Sequence, residues 1–263
     1  MANFIDVGFL VAALAACVAV IFGMVGPVKG GGMALSSTFA WHPILMSVAF
    51  PCLMMLGRWA YVSDEIGDKE TQRSVHRGLM MLATFIGIAG YVMIFMAHLP
   101  LKTFFGYNFS TKKWAVPTRV AHDWLGYAIL LMTLAQSAMG LYKLMSAREG
   151  RSIFKFHGTM GKVVMVLSAV NICLACIFWG WSPGYKIFVA LLTVSVTAFG
   201  TFTQLRKAPE DSMMLDGLVL KKTRPSWKVQ RPEVCLQRPS HVSTSVLLKT
   251  LHISVECGVS PKC

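Results

Sequence analysis

The sequence predicts an all-α membrane protein of six transmembrane helices. Three observations carry that reading. Of the 263 residues, 55% are hydrophobic and only 14% are charged, with a mean hydropathy of +0.57. Soluble domains carry about 25% charged residues, so this composition fits neither a soluble domain nor a disordered chain. Six stretches reach the roughly 20 apolar residues needed to cross about 30 Å of hydrocarbon. Finally, the formal charge of +13 sits mainly in the gaps between those stretches and in the tail. That distribution describes charged loops at a bilayer and argues against a nucleic-acid partner.

The spans run over about residues 7–27, 41–62, 76–98, 119–142, 157–180 and 184–205. They hold few Gly/Pro breaks and no alternating period, so they read as helices and not as barrel strands. Residues 1–28 carry one charge, Asp6, with no basic segment and an apolar run too long for a signal peptide. They read as an uncleaved first span. Pro43 suits a first helical turn and fixes where the second span begins. The gaps after spans two and four hold Lys69, Arg73, Lys143, Arg148, Arg151 and Lys155, and Arg206 and Lys207 follow the last span. The positive-inside bias then places both termini in the cytosol. Lys102, Lys112, Lys113 and Arg119 in the third gap pull the other way, but that gap also carries Asn108-Phe109-Ser110, a glycosylation acceptor pattern of the non-cytosolic face.

Residues 1–207 form the expected membrane domain. From about Ala208 the composition turns to Pro, Lys/Arg, Ser and Val without periodicity, so residues 208–263 are expected to be a disordered cytosolic tail. The seven cysteines make no disulfide framework. Four lie within spans (Cys17, Cys52, Cys173 and Cys176), while Cys235, Cys257 and Cys263 fall in a reducing compartment. Cys173-x-x-Cys176 reads as two small packing residues in an apolar helix.

Five histidines belong to the membrane part: His42, His76, His122 and His157 at the starts of spans two to five, and His98 at the end of span three. Ionisable groups there are functional candidates. Successive helices run in opposite directions, so His42 and His122 meet near the outer face while His76 and His157 meet near the inner face. From His76 to His98 is 22 residues, about 33 Å of helix, which puts the two pairs on opposite sides of the bilayer. Zinc would want four ligands, and the spans offer no carboxylate but Asp123. Two imidazoles without further donors suit a macrocycle that brings its own four nitrogens, so the economical reading is two haems in a central four-helix bundle, one per leaflet. Gly126 and Gly161 lie one turn from His122 and His157, Gly87 nearly on the His76 stripe, and Gly140 five turns along the His122 stripe, facing the opposite haem. Small residues there would clear space for a porphyrin, or would serve close helix packing. Trp41, Trp124, Phe154 and Phe156 flank the histidines as interface anchors.

Near the inner pair stand Arg58, Arg73, Arg77, Arg151, Lys155 and Lys162. Arg58 and Lys162 fall within spans, where a cation wants an anion such as a haem propionate or an anionic substrate. Snorkelling to lipid headgroups is the alternative for such residues. His98, Arg119 and the third-gap lysines stand near the outer pair. His98 has no evident partner for ligation and is assigned to the outer substrate mouth.

Trp41-His42-Pro43-Ile44-Leu45-Met46-Ser47 is similar to the start of the second helix in the cytochrome b561 family. Arg73-x-x-His76, His98, His122-x-Trp124-Leu125-Gly126 and His157-Gly158 with Gly161 follow in order, and the resemblance covers roughly residues 7–205. It implies two b haems ligated by His42 with His122 and by His76 with His157. It also implies cytosolic ascorbate as donor, with Arg73 among the basic residues of that side, and monodehydroascorbate or a ferric chelate as acceptor beside His98. Arg77, Arg151 and Lys155 complete the expected donor-side set. The implied setting is the lipid bilayer of a eukaryotic endomembrane or plasma membrane, and a homodimer is left open. Asp123 departs from the serine common after the fourth-helix histidine, the His98–His122 gap is longer than usual, and the tail has no counterpart. Two other functions compete: a haem-bearing anchor taking electrons from a protein or quinone, and a haem-free histidine-relay transporter.

Overall fold

The computed structural model describes residues 4–149 and 153–202, all within one compact unit. Arg151 and the expected tail, residues 208–263, lie outside the described residues. Six helices are long and apolar enough to cross a membrane. They cover Phe4–Val25, Thr38–Val62, Lys69–His98, Pro117–Arg148, His157–Phe178 and Pro183–Phe202. Below they are the first to sixth spans, and the end holding the second–third and fourth–fifth loops is called inner.

Several helix starts differ from expectation. The second helix begins at Thr38, ahead of residue 41, so Pro43 lies inside the helix and does not mark its first turn. The third helix begins at Lys69, two turns before residue 76, because Asp68 Oδ1 accepts a 2.8 Å hydrogen bond from the Thr71 amide. Those turns carry Lys69, Glu70, Gln72 and Arg73, so hydropathy alone begins the span too late. The fourth runs Pro117–Arg148, longer than 119–142 for the same reason. His42, His76 and His122 therefore lie one to two turns inside their helices, and only His157 is the first residue of one. Gln72 is 2% exposed; its Nε2 donates to the Ser63 and Gly67 carbonyls at 2.8 and 3.1 Å, which ties the inner loop to the third span.

The second span is irregular. Thr38–Ser47 and Met55–Val62 are α-helical, and Val48–Met54 between them is a π-helix containing Pro51. Proline supplies no amide and crowds the preceding turn, and a wider turn accommodates that defect.

In the bundle the second span packs on the third, the third on the fourth, the fourth on the fifth, and the π segment touches the fifth. Spans two and four, and three and five, are thus diagonally opposed. The first and sixth spans pack on each other and on the second and fifth respectively. Their contact is close: Ala13, Ala16, Phe9, Met55 and Val196 share one core. At the outer end Trp181 Nε1 donates to Gly23 O at 2.7 Å and Tyr185 Oη donates to Ala19 O at 2.6 Å. A Cβ on Gly23 would lie 2.6 Å from the Trp181 ring, so the indole seats there only against glycine.

The loop between spans three and four forms a small antiparallel sheet that the sequence did not predict. Its strands are β1 (Thr103–Phe104), β2 (Tyr107–Asn108) and β3 (Lys113–Trp114). Phe105 and Gly106 turn β1 into β2 with φ of 56° and 78°, the two positive values of a tight hairpin turn. Asn108 Oδ1 accepts from the Ser110 and Thr111 amides at 3.0 and 2.9 Å, closing the next turn.

Candidate functional site

Each of three histidines is oriented by a backbone carbonyl on a neighbouring span. His42 Nδ1 donates to Gly90 O on the third span at 3.0 Å. His76 Nδ1 donates to Gly57 O on the second at 2.8 Å. His122 Nδ1 donates to Asn171 O on the fifth at 3.0 Å. A carbonyl can only accept, so each ring carries its proton on Nδ1 and keeps the Nε2 lone pair free. A ring held this way has the tautomer and aim of a metal ligand.

The outer two rings face each other across the bundle diagonal. The His42 and His122 centroids are 6.4 Å apart and their planes stand at 86°. A metal about 2 Å from a nitrogen of each ring would set the ring centres about 6 Å apart, so the spacing fits one ion between two imidazoles. Phe178 covers His122 at 5.4 Å.

At the inner end, His76 and His157 lie within electrostatic range of each other. Tyr61 tilts over His76 with centroids 5.1 Å apart. His157 Nδ1 is buried with no hydrogen-bond partner, while Gln136 Nε2 donates to its carbonyl at 3.0 Å. A Cβ on Gly140 would lie 3.5 Å from His157 Cε1 and 3.9 Å from its Nε2. Gly140, on the span of His122, thus faces the inner pair, as its position five turns along that stripe predicted. A Cβ on Gly161 would meet nothing within 4 Å, leaving open space on the His157 stripe. Gly87 does not serve this purpose: its added Cβ would meet Ala49 and Phe50 of the second span at 3.8 and 3.9 Å, so it permits helix packing. Gly126 backs onto the Asn171 side chain, 3.3 Å away.

The orienting carbonyls reveal a regular frame. On the second span His42 and Gly57 are 15 residues apart, on the third His76 and Gly90 are 14 apart, and on the fifth His157 and Asn171 are 14 apart. Each of these spans carries one histidine of one pair and, about 21 Å along its axis, the carbonyl that aims a histidine of the other pair. The two levels therefore lie nearer each other than the 33 Å His76–His98 length implies. His98 lies eight residues beyond Gly90, about 12 Å farther out. There Arg119 Nη2 donates to His98 Nε2 at 3.1 Å, and Phe39 approaches the ring at 6.2 Å.

The donor set fits a macrocycle. Among the described residues no three His, Cys, Asp or Glu side chains converge, so an ion at either pair would draw its other ligands from a bound group. Three imidazoles with free Nε2 atoms, one outer pair at ligating spacing, an orphaned His157 nitrogen and open space beside Gly161 together suit axial ligation of haem. Of the expected donor-side residues, Arg73 and Lys155 are exposed, and Arg77 is half-buried with Nη2 donating to Ser74 Oγ at 3.4 Å. Sequence reasoning missed Gly57, Gly90 and Asn171, whose contribution is a main-chain oxygen and leaves no side-chain signal.

Cys17, Cys52, Cys173 and Cys176 are free thiols. Cys173 lines a groove of about 300 Å³ between the fifth and sixth spans with Val166, Val170, Ile177 and Val194. No histidine lines it.

Residues 41–181, more than half of the chain, match the family model described as eukaryotic cytochrome b561. No curated protein matches the chain.

Proposed function

The chain belongs to the eukaryotic cytochrome b561 family, transmembrane oxidoreductases that carry electrons on b haem, and from that premise we propose that it passes single electrons from cytosolic ascorbate through two haems to an acceptor on the far side. The acceptor is monodehydroascorbate or a ferric chelate. The observation that carries this reading is the frame of histidines and carbonyls at two levels about 21 Å apart. A haem held between two imidazoles supplies a one-electron couple without an open coordination position, which suits relay over oxygen activation.

His42 and His122 would hold the outer haem, and His76 and His157 the inner one. Gly90, Gly57 and Asn171 keep three of the rings in the ligating tautomer through their carbonyls. Gly140 leaves room at His157. Arg73, Arg77, Arg151 and Lys155 would gather the anionic donor at the inner end, taken as cytosolic. Arg119 Nη2 donates to His98 Nε2, and His98 would border the outer mouth where the acceptor would bind.

Purified protein should contain two haems per chain by pyridine haemochrome assay, and anaerobic ascorbate should reduce both. One haem per chain would remove the two-level relay. Reduction by a quinol but not by ascorbate would favour the anchor-subunit reading, and a colourless protein after haem supplementation would favour the transporter.

A further inference from the structure

Arg58 lies in the inner half of the second span. It follows Gly57, whose carbonyl aims His76, and it is half-buried within the second span. Its Nε is buried and has no hydrogen-bond partner. A buried guanidinium nitrogen left unpaired is costly, so the position calls for an acceptor. Lys162 on the fifth span, five residues past His157, lies within electrostatic range of Arg58, as does His76. Two cations drawn together inside a membrane domain repel unless an anion sits between them. Among the described residues no carboxylate acts on either cation.

We propose that Arg58 and Lys162 form a carboxylate site beside His76 and His157 that takes a propionate of the inner haem. The inference rests on the haem reading above and adds a residue pair to it. A carboxylate there accepts from Arg58 Nε–H in a charge-assisted hydrogen bond and neutralises the pair. The alternative source of the same chemistry is a free anionic reductant entering from the inner end. The consequence for the haem is electrostatic: a cation beside the propionate favours the reduced state, which carries one more negative charge, and so raises the midpoint potential.

The test is a redox titration of full-length holoprotein with Arg58→Gln and Arg58→Lys, following the two haem bands optically. With Arg58→Gln, one haem should shift about tenfold toward the oxidised form at fixed ambient potential, equivalent to 59 mV for one electron, while the other is unchanged. Arg58→Lys should restore most of the shift. Reconstitution with haem dimethyl ester, which lacks free propionates, should abolish the difference between wild type and Arg58→Gln. Unshifted midpoints in Arg58→Gln holoprotein would overturn the proposal, and a raised KM for ascorbate alongside them would assign the site to the free reductant. A protein that binds no haem in any form would instead overturn the reading on which the proposal rests.

Discussion

A methyl group on Gly140 would make an ordinary van der Waals contact with His157, whereas a branched side chain would occupy the space in which that imidazole sits. Gly140→Ala should therefore retain full haem content, and Gly140→Leu should lower it from about two haems per chain to about one by pyridine haemochrome assay. Unaltered haem in the leucine variant would mean that His157 has another seat. The outer mouth offers a second test. Arg119→Gln removes the donor to His98 Nε2, a hydrogen bond worth about 0.5–1.5 kcal/mol net. If His98 positions the acceptor, KM for the acceptor should rise by about three- to tenfold while ascorbate reduction of the haems is unchanged. These residues differ in how well the sequence reveals them. Histidines are conspicuous because few residues in an apolar helix titrate or ligate and four of them stand near helix starts, and Gly140 follows from the 3.6-residue period. Gly57, Gly90 and Asn171 are not legible, because any residue supplies a carbonyl and only the packing of two spans decides which one meets a ring.

The same distinction separates what hydropathy finds in a helix from what it misses. All six spans were legible, because crossing the membrane demands length and apolarity. The first two turns of the third helix were not, since Lys69–Arg73 are polar and their helicity depends on a cap and on Gln72. Pro51 was the single mark of the π segment, and a proline can equally kink or end a helix. The cap gives a test with a definite sign in pH. Hydrogen bonds from Thr71 hold the Asp68 carboxyl below its ordinary value of 3.8. A lowered folded value means that the carboxylate stabilises the fold above the unfolded value, and that this contribution is lost as pH falls through the folded one. Asp68→Ala should thus melt earlier than wild type at pH 7, with the gap closing below pH 3.8. A gap independent of pH would show that the cap acts through packing and not through charge.

For the whole bundle, the decisive property is that its two halves are built from the same helices. Spans two, three and five each serve both levels, one with an imidazole and the other with a main-chain oxygen. A shift of any one of these helices along its axis would disturb ligands at both ends, so the separation of the two levels is fixed by three helices at once. Each level should nonetheless fill independently, because its imidazoles differ from those of the other. In vesicles holding a trapped ferric chelate and supplied with external ascorbate, wild-type protein should reduce the interior iron. His42→Ala and His76→Ala should each retain one haem, visible as a single b-type band. His76→Ala should also slow haem reduction by ascorbate from the inner end, whereas His42→Ala should leave that step intact. Both variants should lose transmembrane transfer by at least about tenfold, the equivalent of 1.4 kcal/mol in the barrier. A single-haem variant that still moved electrons across at the wild-type rate would show that the second level is not part of the path.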